Sequence, residues 1–265
     1  MKNLMLASIL CLTTFSLFAQ SVEDKKAIVA IVADMAEILT PYYIVLFAED
    51  GLSGERMAIE HIPNVILSDV MMPKRDGYEL CKFLKSNVIT NHIPVILLTA
   101  KAGQENKMSG LTYGADAYMA KPFESDELLI RMNNFIQARN KIWDQFKSIG
   151  GLLAEDLSLN SIDDQFFQKI QSEIQDNISN EQFSVEDLAK AVGFSRSQLH
   201  RKLKAVVNKS ANQLIRETRL HRAKSILDKK SMPVSEVAYA VGYSNLSYFT
   251  KSFKDNFGYV LSDLK

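Results

Sequence analysis

The chain has 265 residues, 47% hydrophobic and 23% charged, which is ample apolar material for two ordinary soluble domains. Two cysteines (Cys11 and Cys81) and four histidines without metal-ligand spacing point away from a disulfide framework or a His/Cys metal cluster. The 31 basic and 31 acidic side chains cancel, but residues 164–265 hold sixteen basic against eleven acidic, so the rear is basic and the front acidic.

In chain order, Met1-Lys2-Asn3 precedes an apolar run, Leu4 to Phe18, and then Ala19-Gln20-Ser21. A basic start, a short apolar run and a small residue read as a signal-peptide-like segment over 1–20, with a buried helix as the alternative. The run is short for a membrane span, which needs about 20 residues. Next, Ala27–Val32 reads as an apolar strand followed by Ala33-Asp34, leaving only Met35–Thr40 for a helix before Pro41. Counting back from Tyr42-Tyr43 instead makes residues 27–39 one helix and removes the first strand. Tyr43–Ala48 is the following strand, and Glu49-Asp50 reads as a solvated turn.

Asn64–Asp69 is a short buried strand ending on an acid, followed by Met71-Met72-Pro73 and the turn Asp76-Gly77. Ile93–Ala100 is another, with the Thr99 hydroxyl at its end. Asp116–Phe123 is a third, carrying Lys121 before Pro122. Helical patterns over Gly77–Leu84, Gln104–Leu111 and Ser125–Arg139 separate them. Strands alternating with helices imply an α/β, doubly wound parallel sheet, whose ligands bind at the carboxyl ends of the strands. Asp69, Thr99 and Lys121 converge on that edge. The set suits a phosphoryl group, with a carboxylate as acceptor and a hydroxyl and an ammonium as ligands for its oxygens. Taken singly, each has a plainer explanation: Asp69 caps the next helix, Thr99 is a β-branched strand end, and Lys121 is a surface cation.

On these strand-end residues, 27–140 resembles a response-regulator receiver domain. The resemblance implies that Asp69 is the phosphoacceptor, that Thr99 and Lys121 contact the phosphoryl group, and that the Tyr118 rotamer reports the switch. It also implies a cis bond at Lys121-Pro122. Receivers follow their first strand with two adjacent acids that hold Mg²⁺ beside the phosphoacceptor. Here Asp34 alone follows, so Asp69 and Asp34 are the candidate metal ligands and the acidic pair is incomplete. Mg²⁺ demands near-octahedral oxygen coordination, of which one acceptor carboxylate supplies little. Lys141 to Asp163, with Gly150-Gly151, reads as an interdomain linker (141–163) with a short helix around Ile142–Phe146.

The last hundred residues write one helix-turn-helix twice. Val185–Ser195 and Val234–Ser244 match at a displacement of 49, each running an apolar helix into a glycine, where a tight turn favours positive φ. At a displacement of 50, Ser197, Leu199, Arg201, Leu203 and Lys204 match Ser247, Phe249, Lys251, Phe253 and Lys254. On a helix the apolar pair shares one face, and the polar and cationic positions share the other. From Arg196 to Lys230 eleven Lys or Arg oppose two acids, the footprint of phosphate binding. A scaffold that binds no nucleic acid is the alternative, and the coincidence of charge with both second helices argues against it.

Residues 164–265 thereby resemble an AraC/XylS-type all-α DNA-binding domain. Phe183–Ala189 with Ser195–Lys204 carries its first motif, and Ala238–Tyr243 with Tyr248–Lys254 and Phe257-Gly258 its second. The resemblance implies a long joining helix, for which Ile215–Leu227 is suited, and two recognition helices entering successive major-groove segments. By position Ser197, His200 and Arg201 face bases in the first motif, and Asn245, Ser247, Tyr248 and Lys251 in the second. Arg196, Lys204 and Lys254 complete the DNA-binding set. Arginine can bond guanine bidentately, whereas Ser and Asn are more permissive readers. Packing against neighbouring helices is the alternative for His200 and Tyr248. The chain departs from the family at Ala211 and at Val260-Leu261, where proline is usual, which is expected to loosen helix boundaries.

Together these features predict a non-enzymatic, DNA-binding transcription regulator of a two-component phosphorelay. Its rear is similar to that of hybrid systems, and no kinase-like ATP-binding segment is visible. The implied partners are double-stranded promoter DNA, a sensor histidine kinase or kinase module, and a second copy in a homodimer. Action on DNA implies a cytoplasmic location, with which the signal-like segment conflicts. Two alternatives stay open: a pseudo-receiver serving only as an interaction module, and an exported or truncated fragment without a regulatory role.

Overall fold

A computed structural model describes residues 27–30, 35–100, 113–148, 161–229 and 232–261. The signal-like segment, Asp34, the helix expected at Gln104–Leu111 and most of the expected linker lie outside the described residues. The chain divides into two compact units, residues 1–137 and 138–265.

In the first unit β1 (Ala27–Ala30), β2 (Ile44–Phe47), β3 (Val65–Asp69), β4 (Val95–Thr99) and β5 (Ala117–Ala120) form one parallel sheet, ordered β2-β1-β3-β4-β5. The first strand is therefore present, and the alternative of one helix over 27–39 is wrong. Ala27–Ala30 pairs with β2 on one side and β3 on the other, so a helix there would leave both neighbours with an unpaired edge. The connecting helix α1 (Ala36–Leu39) is a single turn, as short as the sequence spacing required. It is anchored by Leu39, which is fully buried.

Val65, Leu67, Ile96 and Leu98 enter one core cluster, while Ile66, Val95 and Leu97 enter another. That alternation is the period-two geometry of strands covered on both faces, and it explains their unbroken apolar runs. Helix α2 (Gly51–His61) starts at Asp50, which is buried and no solvated turn. Its carboxylate accepts the Ser53 amide at 2.8 Å and faces Lys74 Nζ at 2.5 Å, while Ser53 Oγ accepts the Asp50 amide. Helix α3 (Gly77–Ser86) is capped by Asp76, whose side chain accepts the Glu79 amide. Helix α4 (Ser125–Ser148) is continuous through the short helix expected at Ile142–Phe146.

The second unit is helical: α5 (Ser161–Asp176), α6 (Val185–Val192), α7 (Arg196–Val207), α8 (Ala211–Asp228), α9 (Val234–Ala240) and α10 (Leu246–Phe257). The two motifs are α6–α7 and α9–α10, and their turns repeat bond for bond. Gly193 N and Phe194 N donate to Lys190 O and Ala189 O, and Gly242 N and Tyr243 N to Tyr239 O and Ala238 O. Both glycines sit at positive φ, 81° and 78°, where a Cβ would be strained. The joining helix needs no proline at Ala211. Ser210 and Gln213 form a capping box, so the boundary is held by hydrogen bonds instead. At the other departure, Leu261 packs beside Tyr259 against the core of the second motif. No helix among the described residues is long and apolar enough to cross a membrane.

Candidate phosphoryl site and nucleic-acid interface

The sheet brings three of the expected residues to one edge. Asp69 ends β3 opposite Leu98, and Thr99 follows at the end of β4 opposite Ala120. The Lys121 amide donates to Thr99 O at 2.7 Å, fixing the backbone one residue past β5. The Lys121 side chain then reaches across so that Nζ lies 2.7 Å from Asp69 Oδ2, while the Met71 amide donates to Asp69 Oδ1 at 3.2 Å. Both partners remain partly open, at 30% and 25% side-chain exposure, so an incoming group can reach them. The plainer explanations fall away for two residues. Lys121 is ion-paired, and the cap of α3 is Asp76, not Asp69. The peptide Lys121-Pro122 is cis.

Tyr118, on β5, is partly buried against the cluster containing Cys81 and Leu80. Its hydroxyl is buried with no hydrogen-bond partner among the described residues. Burial raises its pKa well above the ordinary tyrosine range, with Cys81 and Tyr78 adding to the shift, so the ring stays uncharged. Asp50 shows the opposite behaviour. Its hydrogen bonds to Lys74 and to the Ser53 amide hold the carboxyl down at about 2.

Of the two Mg²⁺ ligands implied by the resemblance, Asp69 is among the described residues. No group of three His, Cys, Asp or Glu side chains gathers among the described residues, and Lys121 and the Met71 amide each take one bond at an Asp69 oxygen, leaving lone pairs for a further ligand. Asp34, the other candidate ligand, lies outside the described residues.

In the second unit, helices α7 and α10 divide their faces as expected. Leu199, Leu203, Phe249 and Phe253 are fully buried. Arg196, Ser197, His200 and Lys204 are exposed on α7, with Arg201 half-buried, and Ser247, Tyr248, Lys251 and Lys254 are exposed on α10. Arg196, Ser197, His200 and Arg201 of α7 line a groove with Ser210 and Asn212. Exposed Asn245 caps α10 through its side chain, which accepts the Tyr248 amide at 2.9 Å, so part of its hydrogen-bonding capacity is spent on the helix. Arg196 pairs with Glu186 at 2.5 Å, a contact that a phosphate would have to displace. His200 is not packed away, whereas the Tyr248 ring leans on Tyr243 at 5.9 Å while remaining 57% exposed.

Not all of the eleven cations belong to the outer stripe. Lys202 is fully buried, its Nζ 2.6 Å from Asp163 Oδ1 and 5.1 Å from the Phe166 ring centroid. Lys209 pairs with Glu217, and Arg219 donates to Asn180 O. Helical spacing carried the signal for Lys202: with Leu199, Leu203 and Val206 it occupies i, i+3, i+4 and i+7 of one face. Asp163, expected in the linker, thus belongs to the core of the second unit.

A family model described as a response regulator receiver domain matches residues 20–133, and one described as a helix-turn-helix domain matches residues 188–265. The chain joins a response-regulator receiver to an AraC-type helix-turn-helix domain. The chain is 35% identical over 242 residues to Histidine kinase P4 of Formosa agariphila, covering 89% of the chain and 18% of that protein. Its receiver region is 35% identical over 121 residues to the DNA-binding dual master transcriptional regulator RpaA of Synechocystis, covering 46% of the chain and 49% of that protein. The solved receiver domain of the Francisella response regulator 1452 is 37% identical and covers 43% of the chain and 98% of that domain, with a TM-score of 0.39. The chain therefore spans 18% of the first of these relatives and about half, 49%, of the second.

Proposed function

We propose that the receiver, over residues 27–140, is phosphorylated on Asp69 by a sensor histidine kinase or kinase module and thereby controls promoter binding by the domain over residues 164–265. The observation that carries this reading is the Lys121 ammonium 2.7 Å from Asp69 Oδ2 at the carboxyl edge of the sheet. In the transfer a P–O bond forms to an Asp69 oxygen as the P–N bond to the donor histidine breaks, and the imidazole leaves with a proton. Lys121 offsets charge on the phosphoryl oxygens, and the Thr99 hydroxyl at the next strand end donates to one of them. Tyr118, an uncharged ring whose buried hydroxyl has no partner among the described residues, is the side chain that responds. On the DNA, Arg201 and His200 of α7 and Ser247, Tyr248 and Lys251 of α10 meet base edges, while Arg196, Lys204 and Lys254 meet phosphates. Asn245 sets the start of α10. The names of the two relatives, a histidine kinase and a DNA-binding regulator, support the same pairing of partners. Such action takes place in the cytoplasm.

The test is phosphate incorporation from acetyl phosphate, with and without Mg²⁺, in wild type and Asp69→Asn, with DNA affinity followed in the same samples. Labelling that is lost in Asp69→Asn and accompanied by an affinity change is the expected result. A second reading, a receiver that acts only as an interaction module, rests on the sequence, in which Asp34 alone follows the first strand where receivers carry two adjacent acids. Absent labelling beside intact, salt-sensitive DNA binding would select it.

A further inference from the structure

Two recognition helices on one chain read one bipartite site only if their separation and phase are held, because major-groove segments on one DNA face recur about every 34 Å. Helix α8 is one connection between the motifs, and the structure carries a second. The loop before the first motif, residues 177–184, folds onto the turn of the second. Ile178 packs against the cluster formed by Val237, Val241 and Phe249, and its carbonyl oxygen lies 2.6 Å from the place a Cβ on Gly242 would take. Arg219, midway along α8, donates from Nη2 to Asn180 O at 2.6 Å, and its guanidinium stands 3.1 Å from that same place at Gly242. Ser244, two residues past the glycine, donates to the Glu181 carboxylate.

The Arg219 guanidinium is turned inward. Its Nε is buried and has no hydrogen-bond partner among the described residues, and burial lowers its pKa, which is a cost that a phosphate-contacting arginine on the outer surface would avoid. We propose that Arg219 is a positioning residue that clasps the 177–184 loop to the turn at Gly242–Ser244 and so sets the spacing at which the two recognition helices engage DNA. This rests on reading α7 and α10 as DNA-recognition helices. With α8 alone, the second motif stays packed on Leu220, Ala223 and Leu227 of that helix, and its angle to the first motif is held from one side only. Binding of the second half-site then loses the effective concentration that a fixed geometry supplies.

Selection of the full chain against a pool of duplexes with a random central segment tests this, whatever the target sequence. Wild type is expected to enrich two half-sites at one spacing. Arg219→Met is expected to enrich the same half-sites at several spacings. Its preference for the wild-type bipartite duplex over a duplex keeping one half-site should fall by about tenfold or more. Merely lowered stability would weaken all duplexes alike and leave the spacing fixed. The double variant Glu181→Ala/Ser244→Ala loosens the same clasp through exposed side chains, and it decides the matter if Arg219→Met lacks native helix content. Wild-type spacing retained in a folded variant overturns the proposal. A wild type that enriches only a single half-site also overturns it while DNA reading stands, and a wild type that enriches nothing removes DNA reading itself.

Discussion

Replacing Lys202 with methionine keeps the length of the side chain and removes its charge. The Lys202 and Asp163 side chains are 0% and 3% exposed and meet at 2.6 Å, so the substitution strips a buried carboxylate of its cation. Breaking such a pair from one side costs about 3–5 kcal/mol, which includes the desolvated charge left behind. The lost contact between the ammonium and the Phe166 ring, 5.1 Å away, adds to the same side of the balance. Lys202→Met is therefore expected to raise the unfolding constant of the second unit by roughly a hundred- to a few-thousand-fold. Removing both charges, in Lys202→Met/Asp163→Leu, returns stability to within about 1 kcal/mol of wild type or above it, because apolar groups refill the space at no electrostatic cost. Guanidinium titration of the full chain measures the loss, and peptide-level hydrogen exchange assigns it to the helices of the second unit. A single-variant loss below about 1 kcal/mol would mean that water reaches the pair, and the burial argument would fail.

The duplicated turns are expected to tolerate alanine unequally. Gly193→Ala meets nothing within 4 Å among the described residues and bears only the left-handed backbone strain, about 1–2 kcal/mol, whereas Gly242→Ala also drives a Cβ to 2.6 Å from Ile178 O and should cost more by denaturant titration. The reverse order would contradict the docking of the 177–184 loop. At Asp50 the folded carboxyl, at about 2, lies below the ordinary aspartate value of about 3.9, so its stabilisation is present above that value and disappears as pH falls through about 2. Lys74→Met is expected to weaken the first unit at neutral pH and to converge with wild type near pH 2. Unfolding curves over that pH series check the convergence.

The candidate phosphoryl site was legible because its chemistry sits at strand ends. An acid, a hydroxyl and a lysine each closed an apolar run, and parallel strands must present those ends together. The repeated motifs were legible for a related reason: glycine and a cation recur at matching positions, and helical spacing sorts core from surface within a single segment. Asp50 was misread because exposure in a two-acid turn depends on what folds over it, here Lys74 from another loop. The first strand stayed ambiguous because a short apolar run suits a buried helix and a buried strand alike.

Local order, namely which residues share a helix face, which end a strand and where a turn requires glycine, was written in the sequence, since it depends on neighbours a few positions apart. Long-range partners were not. Only the tertiary structure made Ala27–Ala30 a strand between two others, drew Lys202 inward to Asp163, and set Arg219 between Asn180 and Gly242. Hydrogen-bonded ladders and buried charges take their meaning from groups far away in the chain, and a lysine or arginine looks the same in sequence whether it faces phosphate, a buried carboxylate or the carbonyl of a distant loop.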